Sequence, residues 1–93
     1  MHETGIVRDM VRRLEAMAAE AGATRISSVE VRLGALSGFS PDHFRVHFDE
    51  EVPGTLAEGA TLNVRVLEDA TDPHAQDVMM ESVVFEVPDA DGG

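Results

Sequence analysis

A chain of 93 residues, with 18 acidic and 7 basic side chains and a net charge of −11, makes one small domain and is ill suited to nucleic acid, whose phosphates demand clustered Lys and Arg. The absence of cysteine excludes disulfides, thiolate zinc sites and cysteine nucleophiles. No apolar run approaches the roughly 18 residues of a membrane span, and no basic flank leads into an apolar core, so the expected setting is the cytoplasm, with the negative charge serving solubility, cations or a basic partner.

The chain opens Met1-His2-Glu3. A free α-amine, the His2 amide, the His2 imidazole and the Glu3 amide supply four nitrogens to one plane. Ni(II) and Cu(II) favour that arrangement strongly enough to drive amide deprotonation, whereas Zn(II) prefers a tetrahedron. The Glu3 carboxylate is close enough to assist or to complete a six-coordinate site. The chelate requires an unacetylated amine, and the bulk of His2 favours retention of Met1. On chemistry alone, a disordered start explains the same three residues.

Residues 4–21 predict an amphipathic helix, with Ile6, Val7, Met10, Val11, Leu14, Met17, Ala18 and Ala21 recurring at three- and four-residue spacing. Thr4 is the expected N-cap, which leaves His2 and Glu3 outside the first turn, and Gly22 is the expected left-handed stop. Residues 25–33 predict a strand, with Val29, Val31 and Leu33 opposite Ser28, Glu30 and Arg32. The connection GALSG (residues 34–38) lacks the GK[ST] ending of a phosphate loop and reads as a tight strand-to-helix link. Ser40 caps a second helix with Pro41 at its first position, and Phe39 and Phe44 have hydrophobic-staple spacing. Phe44, Phe48 and Val52 line its buried face until Pro53-Gly54. Residues 61–68 predict a second strand, with Leu62, Val64 and Val66 alternating inward. Residues 69–78 read as a polar loop. Residues 79–87 predict a third strand with Val83, Phe85 and Val87 on one face, and 88–93 a frayed tail.

This order predicts an α+β fold, a single domain over 1–93: two helices packed on one face of a small three-stranded mixed sheet, with the strand order open. Among other candidate sites, His43 and His47 stand one helical turn apart, a spacing that suits one metal but lacks an obvious third ligand. His74 sits alone in an acidic loop. Glu50 and Glu51 end a helix where the dipole disfavours them, so a cation, a partner or solvent must compensate. The serines have no catalytic context, and no acid, base and nucleophile set is visible, so the chain reads as a non-enzyme.

Taken together, Met1-His2-Glu3 ahead of an amphipathic helix, Val31-Arg32-Leu33-Gly34 running into Leu36-Ser37-Gly38, Pro41-Asp42 with Phe44 and Phe48, the stretch from Gly54 to Leu62, and Glu81 to Val87 resemble the HypA/HybF family of nickel-insertion accessory proteins. The resemblance spans nearly the whole chain. It implies a nickel metallochaperone for [NiFe]-hydrogenase, and in some cases urease, maturation. Nickel would be bound at Met1, His2 and Glu3, and the partners would be a GTPase accessory protein and the hydrogenase large subunit. The family also carries a zinc module with two CxxC pairs between its last two long strands. Here only residues 69–78 join those strands, so a domain that folds without zinc is expected. The alternative is a metal-independent interaction or regulatory module that has lost carrier function.

Overall fold

The computed structural model describes the backbone of residues 3–88 and side chains from residue 5 onward. Five elements follow in order: α1 (Glu3–Glu20), β1 (Arg25–Leu33), α2 (Pro41–Glu51), β2 (Thr61–Val66) and β3 (Val78–Glu86). The sheet order is β2-β1-β3, with β1 parallel to β2 and antiparallel to β3. The sheet is therefore mixed, and the two helices lie on one face of it. No helix among the described residues is long and apolar enough to cross a membrane.

The stripe on α1 packs as its spacing dictates: Val7, Met10, Val11, Leu14 and Ala18 are buried, while Met17 at the stripe's edge and Ala21 beyond the helix are exposed. The helix already includes Glu3, so Thr4 lies inside it and is not the cap. Its end is a Schellman motif. The Ala23 amide donates to the Ala18 carbonyl, the Gly22 amide donates to the Ala19 carbonyl, and Gly22 takes φ +70°. In α2, the Ser40 side chain accepts from the His43 amide at 3.1 Å. Phe39 and Phe44 meet edge-to-face, with centroids 5.5 Å apart. Phe44 and Phe48 are fully buried, each contributing on the order of 1.5–3 kcal/mol of burial.

Two register shifts reorganise the strands. Ile26 pairs with Phe85 and Ser28 with Val84, so Ser27 is an extra residue on β1. That bulge brings Ile26 onto the same buried side as Val29, Val31 and Leu33, although strict alternation would turn it outward. Glu30 pairs with Ser82 and Val31 with Met80, so Glu81 is the extra residue on β3. Val78 and Met80 before it, and Val83 and Phe85 after it, all pack against the core. Glu81 is turned to the open face, where it pairs with the Arg32 guanidinium.

The strand ends depart from expectation. β2 stops at Val66, which is 41% exposed, and Val87 lies beyond β3 at 55%. Both β2 and β3 are edge strands with one neighbour each, so cover thins at their ends. The segment 67–77 folds back onto the link after β1. The Gly34 amide donates to the Asp77 carbonyl and the Leu36 amide to the Ala75 carbonyl. A Cβ on Gly34 would stand 2.2 Å from the Ala75 carbonyl oxygen, so this close approach is what requires glycine there.

Candidate functional site

The start of α1 is the first candidate. Met1, His2 and the Glu3 side chain lie outside the described residues, so the expected chelate is placed only through the backbone that follows it. That backbone is helical from Glu3 onward. The first four amides of a helix have no intrahelical acceptor, and the Glu3 amide is among them. A metal taking that nitrogen breaks no helical hydrogen bond, and a deprotonated amide is favoured by the positive end of the helix dipole.

Beside the first turns of α1 lies a groove of about 340 Å³, lined by Gly5, Ile6, Asp9, Met10, Arg13, Val78 and Met80. Its rim carries an Arg13–Asp9 ion pair at 3.0 Å. The space around Gly5 is open, with no atom within 4 Å of a Cβ built there. β3 thus forms the far wall of a depression that starts next to the amino-terminal end.

The acidic end of α2 finds its cation on α1. Arg8 Nε donates to Glu51 Oε1 at 3.1 Å and a terminal guanidinium nitrogen reaches Oε2 at 3.4 Å. The Glu51 hydrogen bond and charge hold the Arg8 guanidinium above its already high ordinary pKa. Sequence spacing identified the unfavourable carboxylates but not their partner, because Arg8 is 43 residues away. Glu50 faces His47 instead, with Nδ1 and Oε1 3.4 Å apart. His43 is exposed one turn before.

His74 Nδ1 lies 2.9 Å from Asp77 Oδ2, within the loop ahead of β3. Asp69 in the same loop accepts from the Thr71 amide at 2.9 Å and the Thr71 hydroxyl at 2.6 Å. Those bonds favour the ionised carboxylate and hold Asp69 below its ordinary pKa. Of the serines, Ser27 donates to Glu86 at 3.0 Å, Ser40 caps α2, and Ser37 accepts from the Phe39 amide. These are structural duties. Among the described residues, no three His, Asp or Glu side chains are grouped to hold a metal ion.

A family model described as hydrogenase/urease nickel incorporation, metallochaperone, hypA matches residues 1–73. The hydrogenase maturation factor HypA of Chlorobium limicola is 44% identical over 64 residues, covering 69% of this chain and 55% of that protein. HypA of Chloroflexus aurantiacus is 36% identical over 94 residues, covering 98% of this chain and 82% of the relative. The chain spans about half the length of the first two relatives it matches. The solution structure of the Ni metallochaperone HypA from Helicobacter pylori superposes with a TM-score of 0.81 at 17% identity, covering 95% of this chain and 100% of that one, a likeness of fold.

Proposed function

The chain belongs to the HypA family, and we propose that it is a nickel carrier in hydrogenase maturation, with urease as a further client, that binds Ni(II) at Met1, His2 and Glu3. The observation that carries the reading is the family match over residues 1–73, which begins at this tripeptide. The α-amine, the His2 amide and imidazole, and the Glu3 amide form the planar donor set. The first amides of α1 have no acceptor within the helix, which supports it, because metal and helix do not compete for the same nitrogen. A terminal chelate exposes the ion to an acceptor protein, as delivery requires. The role is carriage rather than catalysis, and the setting is cytoplasmic. The partners proposed are a GTPase accessory protein and the hydrogenase large subunit.

The segment 69–78 stands, in this reading, where the family carries its zinc module. The family match stops at residue 73, inside that segment. The absence of cysteine removes thiolate ligands, and the buried apolar set drawn from both helices and the sheet supports folding without structural zinc.

Calorimetric titration with Ni(II) of protein with its native Met1 terminus, of His2→Ala and of an amino-terminally extended form tests the site. The native form is expected to bind one equivalent tightly, and both altered forms are expected to lose it. Equal binding by all three would overturn the terminal site.

A further inference from the structure

The β3 side of the sheet is open. Among the described residues β3 has β1 as its one neighbour. The Thr24 amide donates to the Glu86 carbonyl and the Gly34 amide to the Asp77 carbonyl, so Glu86 and Asp77 face β1. In an antiparallel pair a residue turns its N–H and C=O to the same side, and successive residues alternate. Counting inward from both ends, with Glu81 as the extra residue, directs the N–H and C=O of Val78, Met80, Val83 and Phe85 away from β1. Natural edges are blunted by short length, Lys or Pro, yet β3 runs nine residues with no basic side chain and no proline. The other edge, β2, has six residues and carries Arg65.

A second feature lies against the same edge. The groove beside α1 takes Val78 and Met80 from β3 and Gly5, Ile6 and Met10 from α1, but nothing from β1 or β2. It therefore sits at the margin between the helices and the sheet, on the β3 side, with α1 as its far wall. A strand added there would meet unpaired backbone groups along β3 and an apolar wall for alternate side chains. Its other side chains would stand beside Glu81 and Glu86 on the open face, whose side chains are 40% and 51% exposed.

We propose that β3 and this groove together accept an extended segment of a partner protein as a fourth strand, one that alternates apolar and basic residues. Main-chain pairing supplies the affinity and the groove selects the apolar positions. Charge selects the rest. A chain of net charge −11 with two carboxylates on this strand attracts a basic segment. It repels the β3 of a second copy, which brings the same two carboxylates and no cation. The docking site goes beyond the terminal chelate and does not depend on it.

The test adds a peptide of alternating lysine and valine, as long as β3, and follows amide hydrogen exchange residue by residue. At saturation the amides of Val78, Met80, Val83 and Phe85 are expected to slow by about tenfold or more, while those of Met79 and Val84, already turned to β1, keep their rates. Methylating every peptide amide keeps the charge and removes the donors, so that form is expected to give no such protection. Gly5→Leu puts a side chain into the groove without displacing anything, since no atom lies within 4 Å of a Cβ there. It is expected to keep native unfolding behaviour and weaken peptide binding severalfold. Unchanged exchange at the four outward amides, equal protection by the methylated peptide, or native affinity in Gly5→Leu would overturn the proposal. Protection of the same amides that grows with protein concentration and needs no peptide would assign the edge to a second copy and overturn it as well.

Discussion

β1 and β3 are both nine-residue strands, yet they experience different environments. β1 is paired on both sides and places Ile26, Val29, Val31 and Leu33 at no more than 1% exposure. β3 carries Val78, Met79, Met80, Val83, Val84 and Phe85, a larger apolar set, and none of them is fully buried; Val84 is 50% exposed. Residue type alone does not explain the contrast. A central strand under two helices is enclosed by its neighbours, whereas an edge strand shares one side with solvent. The enclosed strand anchors the domain. The edge strand, with its bulge at Glu81, shapes the surface: it walls the groove beside α1 and sets a carboxylate on Arg32.

The largest expected effect separates the two environments. Phe48→Ala, in the buried cluster that encloses β1, should cost about 3–5 kcal/mol in chemical unfolding. Phe85→Ala on β3, only half-buried, should cost roughly 1–2 kcal/mol, because less apolar area is lost. Equal losses would mean that β3 is as enclosed as β1 and would dissolve the contrast.

A smaller effect is expected where the two regions touch. Gly34→Ala would drive a Cβ into the Ala75 carbonyl, so the segment before β3 must shift, at a cost of about 1–3 kcal/mol. Amide exchange at Gly34 and Leu36 should accelerate, since their acceptors are Asp77 and Ala75. Unchanged protection at both amides would show that this junction is not what seats the loop.

The smallest effect is a titration. Asp69 has its pKa lowered in the folded chain, so its contribution to loop order is fully present above the unfolded value and disappears as pH falls through the folded one. Carboxyl chemical shifts should show Asp69 titrating below the ordinary aspartate range, and Thr71→Val, which removes the hydroxyl but keeps the backbone amide, should raise it part of the way back. Identical titration in the two forms would remove the Thr71 hydroxyl as a cause.

Much of this architecture is legible residue by residue. The three- and four-residue spacing on α1, the Ser40-Pro41 start of α2 and the alternation at Val29, Val31 and Leu33 each express a rule that acts within one or two turns. The bulges are not legible in that way. Ile26 reads as outward-facing until the pairing of β1 with β3 inserts Ser27, and the inward placement of Met80 depends on the same kind of shift at Glu81. The Arg8–Glu51 pair and the contact of Gly34 with Ala75 are likewise invisible to spacing, because each joins segments about 40 residues apart.

For the candidate sites the division is similar. The amino-terminal tripeptide is identifiable from donor chemistry and from resemblance, and the His43–His47 spacing is plain in the chain. What the fold adds is the Glu50 carboxylate beside His47, and a helix that already runs from Glu3, whose first amides have no acceptor within the helix.

By itself, the sequence determined which segments are helical or extended, which side of each helix is apolar, and which residue types are available as ligands, since these depend on local periodicity and on side-chain chemistry. The tertiary structure decided the order β2-β1-β3, the two bulges, the partner of Glu51 and the enclosure of β1 in contrast to β3. Those depend on which distant segments pair and in what register, and a one-residue shift there reverses which face a side chain meets.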